Sequence, residues 1–83
     1  MHAVQANGGN MEQTLRGIVA KIAEISPDFD ANANLRDLGV DSVRNLEIVF
    51  EIEKVLGVSV PENRYAEVKA FNDIVKLVSS LKS

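Results

Sequence analysis

Apolar residues spaced by three and four positions, in runs broken by proline or glycine, leave this chain little choice of fold. Met11, Leu15, Ile18, Val19, Ile22 and Ile25 share an arc of about 120° when projected at roughly 100° per residue, so they form one face of a helix. Asn10 is the expected N-cap of that helix and Glu12 suits its first-turn dipole. Ser26-Pro27 is the expected stop, because a proline disfavours helical backbone in the residue before it. A second run predicts a helix from Ser42 to Leu56, closed by Gly57. Val58-Ser59-Val60-Pro61 reads as an extended turn into a short helical segment, Glu62 to Val68. Phe71, Ile74, Leu77, Val78 and Leu81 then mark a last amphipathic helix. No stretch alternates as a strand would. The predicted fold is all-α, a small four-helix bundle of three main helices plus one short third helix.

A chain of 83 residues buries only about 60 to 65 % of its unfolded surface, which allows one small domain and leaves no room for a second. Met1 to Asn10, with its Gly8-Gly9 pair and no periodic apolar pattern, reads as a flexible leader (residues 1–10) before a folded domain at 11–83. The connection from Pro27 to Asp41 is long for so small a domain, and Phe29, Leu35 and Leu38 are expected to pin it to the core. Gly39 is expected to take a positive φ just before the second helix. The chain contains no cysteine, which excludes disulfides and a cysteine nucleophile. A net charge of −3 argues against nucleic acid, whose phosphates call for a basic patch. No apolar run approaches a membrane span, and no secretory signal is legible, so a cytoplasmic protein is expected.

The second helix carries more apolar surface than a bundle needs. Ile48, Val49, Ile52, Val55 and Leu56 make its expected core face, while Val43, Leu46 and Phe50 form a second cluster nearly opposite. Arg44, Glu47, Glu51, Glu53 and Lys54 surround that cluster. An apolar strip rimmed by charges suits a partner-docking surface; the alternative is a strip covered by a loop or by the third helix. At the start of this helix stands Asp41-Ser42. Either side chain could simply cap it, although Arg44 and Asn45 stand where the partner of a capping box would be.

Leu35-Arg36-Asp37-Leu38-Gly39-Val40-Asp41-Ser42-Val43, followed by Leu46-Glu47, by Leu56-Gly57-Val58-Ser59-Val60-Pro61 and by Asn72-Asp73-Ile74, resembles the acyl carrier protein family from about Met11 to Leu81. The resemblance implies that Ser42 receives a 4'-phosphopantetheine arm from coenzyme A through a phosphopantetheinyl transferase and Mg²⁺, and that Asp41 helps present the site. It implies a carrier whose acyl groups ride as thioesters on the arm, and partners such as a ketosynthase or acyltransferase that dock on the second helix. Val43, Arg44, Leu46, Glu47, Phe50, Glu51 and Lys54 are the candidate partner-binding residues. An imported thiol explains how a chain without cysteine could hold acyl groups. Arg44 stands where fatty-acid carriers usually have an acidic residue, which points to a specialised fatty-acid or related acyl pathway. Tyr65 stands where the family often has a small residue, and would reshape an internal acyl pocket.

Two other classes compete with this reading. A hydrolase using Ser42 as nucleophile needs a base, and His2, the one histidine, lies in the leader, so no enzyme is expected. The remaining alternatives are a polyketide or a peptidyl and aminoacyl carrier, and an unmodified helical interaction module with Ser42 as a cap alone.

Overall fold

The computed structural model describes residues 7–82, with side chains from Met11 onward. Its elements are α1 (Asn7–Ala23), a 3-10 turn (Leu35–Leu38), α2 (Ser42–Leu56), α3 (Glu62–Tyr65) and α4 (Phe71–Lys82). The expected bundle of three main helices and a short third one is what forms. Among the described residues there is no strand, only an isolated bridge between Asn34 and Ala70.

Helix α1 starts and stops earlier than the sequence predicts. Residues 7–10 are already helical, so Asn10 is not the cap; His2 and the rest of the expected leader, residues 1–6, lie outside the described residues. At the other end the helix stops at Ala23, not at Ser26-Pro27. Glu24 turns into the left-handed region at φ 61°, and the Ile25 N–H donates back to the Ala20 carbonyl at 3.0 Å. That is the geometry of a Schellman stop. The helix is therefore closed by its own carbonyls before the proline can act.

The core consists of Leu15, Ile18, Val19 and Ala23 from α1, Ile48 and Ile52 from α2, and Phe71, Ile74 and Val78 from α4, with Leu35 and Val40 supplied by the connection. These are the apolar stripes the periodicity marks. Two residues of the expected α2 core face depart from it: Val49 lies outside the core cluster and lines a cleft beside α2, and Val55 is 49 % exposed. A helical projection fixes direction around the axis but not how far along the axis a neighbour reaches, and Val55 lies in the last turn, outside the core cluster.

The long connection is more ordered than a loop of polar residues suggests. Leu35 is buried and Phe29 and Leu38 pack partly against the core, as expected. Phe29 meets Phe71 edge-on with ring centroids 5.1 Å apart. Arg16 stacks on both rings at 4.8 and 5.1 Å, and its Nη1 donates to the Pro27 and Phe29 carbonyls at 2.7 and 2.8 Å. Further along, the Asn34 side chain accepts from the Arg36 N–H, and the Leu35 N–H donates to the Lys69 carbonyl at 2.8 Å. Gly39 adopts φ 94°, so the backbone can close the 3-10 turn and bury Val40 immediately afterwards. Both ends of the connection are thus fastened just ahead of Asp41-Ser42.

Helix α3 is shorter than expected. After Tyr65 the backbone bonds tighten from four-residue to three-residue spacing, with Glu67 N–H to Arg64 O and Val68 N–H to Tyr65 O, so Ala66 to Val68 form turns and not helix. No residue of α3 is buried, and Pro61 offers no side chain to cap it. Helix α4, by contrast, has its start fastened by a side chain of its own first turn. The Asp73 carboxylate accepts from the Lys69 and Ala70 N–H groups, both at 3.0 Å, and the Asn72 amide donates to Asn32 Oδ1 across the connection.

Candidate functional site

Asp41 has extended backbone (φ −97°, ψ −171°), and its side chain accepts the Arg44 N–H at 2.9 Å. It is therefore Asp41 that caps α2, and Ser42 follows as the first helical residue. Of the two capping readings open in the sequence, this one leaves the Ser42 hydroxyl free of the capping bond. Ser42 is exposed. Its own N–H and that of Val43 lie in the first turn, where helix geometry provides no acceptor within the helix, at the positive end of the dipole. A phosphate ester on Ser42 would stand beside these donors. The Asp41 carboxylate stands on the same end, so the local charge is mixed.

Two clefts flank Ser42. The larger, about 670 Å³, runs along α2. Its α2 wall is Ser42, Asn45, Leu46, Val49, Phe50 and Glu53, a stride of three and four that keeps all six on one face. The facing wall comes from Val60, α3 and the turn after it, chiefly Tyr65 and Val68. The smaller cleft, about 480 Å³, opens on the other side toward Arg36, Lys69 and the 3-10 turn. Ser42 and Asn45 border both.

Polar groups close the ends of the larger cleft. The Tyr65 hydroxyl donates to Asn45 Oδ1 at 2.8 Å, and the Glu53 carboxylate accepts the Val60 N–H at 2.8 Å. Burial pushes the Tyr65 hydroxyl pKa up to about 12, because the ionised phenolate is poorly solvated there. No one residue type announces this cleft in the sequence. The signal available was the stride from Ser42 to Glu53, hidden because Asn45 and Glu53 interrupt its apolar members.

The second apolar cluster of α2 is uncovered. Val43, Leu46 and Phe50 are 64, 54 and 63 % exposed, so neither the connection nor α3 lies over them. Glu47 and Lys54 at the rim are exposed as well. Two other rim residues are engaged within the domain. Arg44 is half-buried and its Nη1 donates to the Ile22 carbonyl at 2.9 Å, answering an open acceptor at the end of α1. Glu51 faces Lys21 at 4.0 Å. Among the described residues no helix is long and apolar enough to cross a membrane.

The sequence profile of the family described as "Phosphopantetheine attachment site" matches residues 13–78. Two relatives named acyl carrier protein, from Rickettsia bellii strains OSU 85-389 and RML369-C, are 40 and 39 % identical over 79 residues, covering 89 % of this chain and 94 and 88 % of theirs. A non-reducing polyketide synthase from Emericella nidulans is 35 % identical over 80 residues, covering 90 % of this chain and 3 % of that protein. An exposed serine at a helix start, two clefts beside it and an uncovered apolar strip thus occur in a chain that aligns with whole carrier proteins, and the chain belongs to the acyl carrier protein family, whose cofactor is covalent 4'-phosphopantetheine.

Proposed function

We propose that Ser42 carries the 4'-phosphopantetheine arm and that the domain acts as a carrier without catalysis of its own. The observation that carries this reading is the division of labour at the start of α2: Asp41 takes the capping bond and Ser42 stands exposed beside it. In the attachment step the Ser42 oxygen attacks the β-phosphorus of coenzyme A. The bond from that phosphorus to adenosine 3',5'-bisphosphate breaks, and the serine proton passes to a base of the transferase. Asp41 fixes the backbone that aims the hydroxyl outward. Once bound, the arm supplies the thiol on which acyl groups are held.

Phosphopantetheinyl transferase and acyl-processing enzymes such as a ketosynthase or acyltransferase dock, in this reading, on Val43, Leu46 and Phe50, with Arg44, Glu47, Glu51 and Lys54 setting orientation. Arg44 places a positive charge beside the strip, which supports partners other than those of general fatty-acid synthesis. A polyketide-type cargo is a second reading, supported by the match to the synthase domain. The domain works as a monomer in the cytoplasm.

Incubation with coenzyme A, Mg²⁺ and a broad-specificity phosphopantetheinyl transferase is expected to add one phosphopantetheine, with all labelling lost in Ser42→Ala. Labelling of the alanine variant, or none of the wild type, would refute the assignment by intact mass.

A further inference from the structure

Asn45 and Tyr65 set a polar bar across the Ser42 end of a cleft whose middle is apolar. Asn45 lies three residues after Ser42 on the same face of α2, about one helical turn or ~5 Å further along the axis. Beyond it come Leu46, Val49 and Phe50 facing Val60 and Val68, and only then Glu53. Any group tethered to Ser42 that enters this cleft meets the Tyr65 hydroxyl and the Asn45 amide before it meets the apolar stretch. The wall that carries Tyr65 is built on α3, which has four residues, none of them fully buried, and no side-chain cap, and Tyr65 and Val68 pack only partly against the core. Its hydrogen bond to Asn45 joins that wall to α2.

An occupant must therefore part the Tyr65–Asn45 bond or fit around it. Parting it leaves a half-buried donor and acceptor that need new partners. A saturated chain supplies neither. A carbonyl can accept from Tyr65 but cannot serve Asn45 Oδ1. A hydroxyl both accepts and donates, so it can insert between the two and restore both bonds.

We propose that the Asn45–Tyr65 pair determines cargo: the cleft prefers acyl groups with a hydroxyl close to the thioester, takes the matching oxo groups less well, and takes saturated chains least well. This rests on Ser42 being the attachment point.

The test loads Ser42 from three coenzyme A esters of equal chain length, β-hydroxyhexanoyl, β-oxohexanoyl and hexanoyl. Thioester cleavage by hydroxylamine is then measured, each rate divided by that of the same thioester on free pantetheine. Amide shifts of Asn45 and Tyr65 are followed in parallel. In the wild type the hydroxy cargo is expected to be protected about five- to tenfold more than the saturated one, the size of one restored hydrogen bond. Tyr65→Phe and Asn45→Ala, each checked for helical content, are expected to bring the three cargoes within about twofold of one another. Equal protection in the wild type, or a ranking that survives in both variants, overturns the cargo proposal and leaves the carrier reading standing. If Ser42 accepts none of the three esters, both fall.

Discussion

The two walls that meet near Ser42 are built to different standards. On one side α1, α2 and α4 share a closed core in which Leu15, Val19, Ile48, Phe71, Ile74 and Val78 are completely buried. On the other, α3 has no fully buried residue: Tyr65 packs only partly against the core, and polar contacts join Tyr65 to Asn45 of α2 and Arg64 to Ser80 of α4. Apolar burial is cooperative and hard to open in part, whereas a short segment on a few hydrogen bonds can open alone. The proposed carrier role would use both: a rigid platform that presents one serine, and a wall that can yield to cargo.

Truncation on the rigid side gives the largest effect. Phe71 is fully buried, touches Phe29 edge-on and lies under Arg16. Phe71→Ala is expected to cost about 3 to 5 kcal/mol, a large part of what a domain this small possesses. Chemical denaturation should show the whole bundle unfolding earlier in one transition. A loss under about 1 kcal/mol would mean that the core is not the single unit described.

The yielding side is probed in alkali. Tyr65 has its pKa raised to about 12 by burial, so the unfolded chain releases this proton first. Stability from this group is complete below the ordinary tyrosine value of 10.0 and declines as pH rises toward about 12, by at most ~2 to 3 kcal/mol in total. Tyr65→Phe should flatten that part of the pH–stability curve. An identical alkaline slope in the variant would show that α3 already opens without unfolding the core, sharpening the contrast between the walls.

Much of the rigid side was legible in the sequence because period and turn chemistry agree there. The stripe through Ile48 and Ile52, the stop at Gly57 (φ 67°) and the turn at Gly39 each follow from one local rule, and α2 has the bounds its residues predict. What escaped depends on contacts between distant residues. Glu24 has no residue-type signature for a left-handed helix stop, and Val55 is exposed because of where its neighbours end. The second apolar strip of α2 was visible as a pattern, but its exposure required knowing that nothing covers it. Arg44 read as a surface charge, and its bond to Ile22 spans two helices. Ser42 could be picked out by resemblance, whereas Asn45 and Tyr65 meet only because α3 folds back over α2.

The smallest effect concerns the connection between the walls, where the chain leaves α3 and starts α4. Asp73 there binds the Lys69 and Ala70 N–H groups, and these two backbone bonds hold its carboxyl below the ordinary value of 3.8. The bonds favour the charged form, so the contribution is complete above that ordinary value and is lost as pH falls through the lowered one. Removing a helix cap costs about 1 kcal/mol, and Asp73→Ala should lose that much near neutrality. The gap between variant and wild type should then narrow in strong acid, where the protonated carboxyl keeps only an uncharged acceptor. Asp73→Asn can still accept a hydrogen bond but has no charge to titrate, so it should lie between the two and lack the acid dependence. Urea denaturation of all three proteins at neutral pH and in acid reads this directly. A gap of the same size at both would mean that Asp73 acts by packing or uncharged hydrogen bonding and not through its charge.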